Sequence, residues 1–153
     1  MAKRRIWKSL AAGLCGASAH SALMAFKAWS GLLPAFQPYA SLQATLARTI
    51  GADLHPTTVW LISFFSGATV LGFLFGRLYR VLPGRTALAK GFVFGLFGWA
   101  VMGLVFFPLI GLGVFAAKVG LGATPALFAL AMVLTYGVAM GLAYGALERA
   151  AWR

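Results

Sequence analysis

Acid is what this chain lacks most. Thirteen lysines and arginines stand against two acids, Asp53 and Glu148, for a net charge of +11. Neither acid falls inside an apolar run. Proton-coupled transport and intramembrane proteolysis usually draw on buried or paired carboxylates, and no such group is on offer. Cysteine is as scarce. Cys15 stands alone, which excludes an intrachain disulfide and a cysteine zinc site. It sits in an apolar run and reads as a small buried thiol. Histidine is limited to His20 and His55. No metal site is expected from two histidines so far apart in depth, and no catalytic constellation can be assembled, so the chain reads as a non-enzyme.

Polar surface is missing as a whole. Charged residues make up 10% and apolar residues 61%, with a mean hydropathy of +0.89. An average soluble domain has about 25% charged and 45–50% apolar residues. A chain of 153 residues cannot hide that much apolar surface in water, so its solvent is the bilayer. Nucleic acid is not an expected partner despite the charge. The basic residues cluster at the ends of apolar runs, where they meet anionic headgroups.

Four runs are long enough to cross about 30 Å of hydrocarbon, which takes roughly 20 helical residues. They cover approximately 6–29, 57–81, 87–110 and 124–147. They are continuous and too long for barrel strands. The expected fold is all-α, a single domain over 1–153, with four transmembrane helices.

The first run opens on Lys3, Arg4 and Arg5, and Ala17-Ser18-Ala19 resembles a signal cleavage site. The apolar stretch nevertheless continues to Phe26, so it reads as a retained signal-anchor. Leu14 before Cys15 excludes a lipoprotein signal.

Lys3, Arg4, Arg5, Lys8, Arg77, Arg80, Arg85, Lys90, Arg149 and Arg153 would share one side, against Lys27, Arg48 and Lys118 on the other. The positive-inside rule then places both termini in the cytoplasm of a bacterial inner membrane. Trp7, Trp29, Trp60 and Trp152 mark span ends, where an indole suits the headgroup level. Lys27 lies close enough to the outer end to snorkel.

Pro83-Gly84 in "VLPGRTA" signals a tight turn and makes spans two and three antiparallel neighbours. "GLGVFAAKVGLGATP", 111–125, joins spans three and four, with Pro125 suited to a first helical turn. The loose dinucleotide pattern "GLGVFA" within it has no strand before it and no acid after it. In the outer loop, 30–56, Leu42, Leu46 and Ile50 recur every fourth residue. They define one short amphipathic periplasmic helix lying in the interface. His55, before Pro56, sits at the outer mouth of span two near Thr57 and Thr58.

Glycine is abundant, and its spacing is the strongest pattern in the chain. Gly137, Gly141 and Gly145 form a small-residue row on span four. Ala68, Gly72 and Gly76 do so on span two, and Ala87, Gly91 and Gly95 on span three. Span one has Ala12 and Gly16, with a second row at Ser9, Gly13 and Ala17. In a bilayer such rows let backbones approach, so these are expected helix-packing surfaces.

Two rows end in larger groups, His20 and Trp99. With a rise of about 1.5 Å per residue, Thr69, Trp99 and Tyr136 fall near the midplane and His20 within roughly one turn of it. These four side chains are expected to meet as a midplane polar cluster. His20 is the one ionisable group deep in a span. No cofactor is expected, and a haem or quinone at His20 is the alternative.

The motifs "LPG" at 82–84, "KGFVFGLFGWAVMGLVFFPLIGLGVF" at 90–115, "GLGATP" at 120–125 and "YGVAMGLAYG" at 136–145 resemble the YagU-like and related small bacterial inner-membrane proteins. That resemblance implies four spans and no assigned function. Members of that family often carry a histidine early in the second span and another in the fourth. The equivalent positions here are Ser63 and Val133, which argues against a shared metal or haem site.

The sequence therefore points to an accessory subunit or assembly factor docked on a larger respiratory or photosynthetic membrane complex. Its expected partners are the lipid bilayer and other membrane subunits. The alternative is a small transporter or channel with a pathway lined by His20, Trp99 and Tyr136.

Overall fold

A computed structural model describes the backbone of residues 2–150 and the side chains of residues 5–150. The described chain is all-helical, with no strand. Helix α1 runs Ala2–Ser30, α2 Pro38–Ile50, α3 Pro56–Leu78, α4 Ala87–Leu109 and α5 Thr124–Ala150. Helices α1, α3, α4 and α5 are long and apolar enough to cross a membrane. Span ends fall within a few residues of the expected ones. Trp7, Trp29 and Trp60 are exposed near span ends, while Lys3 and Arg4 lie outside the described side chains and Trp152 and Arg153 outside the described residues.

Two of the spans start where a side chain takes a free N–H group. His55 precedes α3, and its Nδ1 accepts from the Thr57 amide at 3.3 Å. Thr86 precedes α4 and its hydroxyl accepts from the Ala89 amide at 3.1 Å. Both contacts satisfy donors that a helix leaves unpaired. Pro125 is buried in the first turn of α5.

The order of the spans corrects one expectation. Helices α3 and α4, though joined by the 81–87 turn, do not pack along each other. Helix α3 packs on α1, α1 on α5, and α5 on α4. The row is therefore α3–α1–α5–α4, with α1 and α5 central and every packed pair antiparallel.

The small-residue rows explain this order. A Cβ on Gly137 would lie 2.9 Å from Gly95 Cα, and one on Gly141 would lie 2.8 Å from Gly91 Cα. On the other flank a Cβ on Gly72 would lie 2.6 Å from the Ser9 carbonyl oxygen and 2.9 Å from Gly13 Cα. A Cβ on Gly16 would lie 3.0 Å from the Tyr136 carbonyl oxygen, and one on Gly95 2.9 Å from that of Val133. The same is true of Gly13 against Ala68, Gly76 against Ser9, Gly91 against Gly137 and Gly145 against Ala87. Close contact replaces the hydrophobic effect, which is weak between helices in lipid. Helix α1 uses both of its rows, one toward each neighbour.

The ends of the row meet at the side that carries the termini. Phe75 of α3 packs edge-on against Phe94 of α4, ring centres 5.1 Å apart, and against Tyr144 of α5 at 5.8 Å. Polar ties flank this plug. The Arg5 guanidinium donates to the Gly76 carbonyl at 3.1 Å, Lys90 Nζ donates to the Tyr79 carbonyl at 2.5 Å, and Lys8 pairs with Glu148 at 3.2 Å. Three of the basic residues expected at headgroups thus also hold helix ends together, where cations suit the free carbonyls.

At the opposite, loop-bearing side the row opens. Helix α4 carries a π-helical turn toward that side, at Met102–Phe106, and α3 carries one at its middle, Gly67–Leu71. Such turns shift the phase of the helix by inserting a residue. The 111–123 connection folds back on α4. Phe115, at φ 48°, lies on Gly103 and stacks on Trp99 with ring centres 4.7 Å apart. Around it Gly111, Gly113, Gly120 and Gly122 take positive φ, a conformation glycine reaches without a Cβ clash.

Candidate functional site

Between the splayed halves of α3 and α4 lies a cleft of about 510 Å³, within the range of small-molecule sites. Helices α1 and α5 form its back wall through Ala17, His20, Met132 and Tyr136. The π turns of α3 and α4 contribute Gly67, Val70, Met102 and Phe106 to its sides. Helix α2 lies over it, turning Leu42 and Leu46 into the cleft while Ile50 stays exposed. The amphipathic period expected for α2 is thus used as a cover. Its position is fixed by Gln43, whose amide donates to the Leu54 carbonyl at 2.6 Å.

Two of the four residues expected to cluster come together here. His20 stands edge-on to Tyr136, ring centres 6.3 Å apart and planes at 78°. The Tyr136 hydroxyl donates to the Gly67 carbonyl at 2.7 Å. That bond ties α5 to the π turn of α3 at midplane depth. Every buried side-chain nitrogen or oxygen among the described residues has a partner, as a low-dielectric interior demands.

The other two lie elsewhere. Thr69 is exposed on α3 and its hydroxyl turns back to the Phe65 carbonyl at 2.6 Å, so it faces lipid. Trp99 donates its indole N–H to the Ala126 carbonyl at 2.9 Å and packs with Phe115 at the loop-bearing end. A shared midplane cluster of four is therefore corrected to a pair, because matching depth does not fix which face of a helix a side chain occupies. Cys15 also departs from expectation. It is exposed on α1 rather than buried, since the packed faces of α1 are those of Ala12, Gly16 and Ser9, Gly13.

Lys27 lies at the loop-bearing end of α1 with its stem covered. The 31–37 segment folds over it, leaving the residue only 6% exposed, with Nζ 5.9 Å above the Phe36 ring. It borders a second cavity, of about 380 Å³, lined also by Gln37, Pro38 and Tyr39. Burial pushes the Tyr39 phenol above its ordinary pKa, so it stays a neutral donor at neutral pH.

The cleft itself was not expected. Ser63 and Val133, singled out as the positions where the resembled family carries histidines, both line it. His55 does not join His20. It is exposed at the start of α3.

Fold and site together define a multi-pass helical membrane protein with a cleft at one side. The chain belongs to DUF6789, a family of unknown function, which it matches over residues 3–152. The resemblance drawn from the glycine and proline motifs agrees in leading to a family without an assigned function, though the match does not carry the YagU-like name. No curated protein and no solved structure matches the chain.

Proposed function

We propose that this protein is a non-enzymatic accessory subunit or assembly factor of a larger respiratory or photosynthetic complex in the bacterial inner membrane, with both termini in the cytoplasm. The observation that supports this best is the plug of Phe75, Phe94 and Tyr144. It packs the bundle on the side of the termini, and none of its three rings lines the cleft. A transporter pathway through His20, Trp99 and Tyr136 gains no support, because Trp99 is turned to the loop connection. What the chain offers a host is its outer surface. Phe65 and Phe73 on α3, and Phe92, Phe97 and Leu104 on α4, are exposed and line neither cavity.

The test is purification from native membranes in mild detergent. An accessory subunit co-migrates with host subunits far above its own 16.2 kDa, and its deletion lowers the amount of that complex. Migration alone, with every complex unchanged in the deletion strain, contradicts the reading. A cytoplasm-active reporter should work when fused after Arg153 and stay silent when inserted near Gln43. The reverse pattern contradicts the orientation.

A further inference from the structure

We propose that the cleft between α3 and α4 holds one acyl chain of an anionic phospholipid, whose phosphate is met by Lys27. The inference starts from a charge with no counter-charge. The 31–37 segment covers the stem of Lys27, leaving the residue 6% exposed, while its side chain lines the smaller cavity with Nζ 5.9 Å above the Phe36 ring. Among the described residues the ion pair is Lys8 with Glu148, at the opposite end of the bundle. An ammonium facing a partly enclosed cavity is a ready partner for an anion that enters it. The chain has only two acids, so the compensating anion is best supplied by a ligand.

The geometry identifies that ligand as an amphiphile. The cavity at Lys27 and the apolar cleft share Met24, Pro38 and Tyr39 as lining residues. A cationic chamber and an apolar slot are thus neighbours across the same side chains. The slot opens sideways between two spans, the direction from which a lipid arrives. Its depth matches one leaflet. From Lys27 down to Ala17, which lines its floor, helix α1 descends ten residues. That is about 15 Å, half of a hydrocarbon core of about 30 Å. A lipid of the leaflet on the loop-bearing side would keep its head at Lys27 and lay its chain toward His20 and Tyr136. Tyr39, a neutral donor beside the same chamber, can contribute a second hydrogen bond to the phosphate. The two π turns contribute Gly67, Val70, Met102 and Phe106 to the slot walls, and π turns are frequent at functional sites.

Native mass spectrometry of the full chain, released from nanodiscs of phosphatidylglycerol and phosphatidylcholine in equal amounts, tests this. The wild type should retain one phosphatidylglycerol in preference. Lys27→Gln should reduce that preference about fivefold, the contribution of one lysine toward an anionic lipid. Ser63→Trp, which fills the slot, should lose the retained lipid of either kind while melting in detergent like the wild type. No headgroup preference in the wild type overturns the proposal without recourse to any variant. So does a Lys27→Gln protein with unchanged preference. Retention of oleate over phosphatidylglycerol at equal loading would overturn the phospholipid assignment in favour of a free fatty acid.

Discussion

The two halves of this bundle are built on opposite principles. On the side of the termini, glycine and alanine rows bring backbones into contact, and Phe75, Phe94 and Tyr144 seal what remains. Toward the loop-bearing side α3 and α4 part, a π turn distorts each of them, and a cleft of about 510 Å³ opens between them, while α4 and α5 stay packed through Phe107, Ala129 and Met132. In lipid, helices gain little from hiding apolar surface from one another. Tight packing must therefore be written into the chain by small residues, and where they stop the bundle is free to open. The second span shows this within one helix. Ala68, Gly72 and Gly76 are buried against α1, while Ile62 and Phe65, nearer the loop-bearing end, are bulky and exposed.

The largest effect should come from breaking the closed half. Gly72→Leu places a side chain where even a Cβ would sit 2.6 Å from the Ser9 carbonyl oxygen. Backbone cannot yield as a side-chain tip can, so the cost should reach or exceed the roughly 1–3 kcal/mol of ordinary overpacking. The expected outcome is loss of the folded protein, or a much lower melting temperature in detergent. Unchanged melting would mean that α1 and α3 do not pack on these rows.

Tyr136→Phe acts at the boundary of the two halves and should cost less. It removes the donor to the Gly67 carbonyl without changing the ring. An unpaired buried carbonyl costs about 1–3 kcal/mol. Part of this is recovered where the π turn can relax, so an effect near the low end is expected. A melting temperature equal to that of wild type would show that the bond does not hold the π turn.

The smallest effect is expected at His20, on the open side. Glutamine keeps a polar side chain of similar reach, and the cleft leaves room for it. His20→Gln should melt within about 0.5 kcal/mol of wild type, the usual scale for a change that leaves packing intact. A visible absorbance band in the wild type that disappears in this variant would instead assign His20 to a haem.

Much of the closed half was legible in the sequence. Gly91, Gly95, Gly137 and Gly141 recur at a spacing that has one physical meaning in a bilayer, and they meet in the structure. The spans, the turn at Pro83-Gly84 in "VLPGRTA" and the amphipathic helix with Leu42 and Leu46 follow from equally local rules. The order of the spans does not. Helix α1 carries two small-residue rows, and nothing local says which neighbour takes which. The open half was mostly hidden. "GATVL" and "MGLVF" contain no proline to announce a distortion, yet both wind as π turns. Thr69 was judged by depth, and depth is silent about face. The cover over Lys27 was hidden as well, because it depends on how the 31–37 segment folds back, a long-range event with no periodic signature.

The contrast between the halves is tested most directly by adding the same side chain to each. Gly141→Leu and Ser63→Leu both place a leucine on a bundle helix at a row or wall that faces other helices. At Gly141 the new chain meets the backbone of Gly91, 2.8 Å from where its Cβ would stand, while at Ser63 it enters the cleft. Thermal melts of the two variants in one detergent should show Gly141→Leu collapsed or strongly destabilised and Ser63→Leu at or above wild type. Equal losses in the two would contradict the division of this bundle into a closed and an open half.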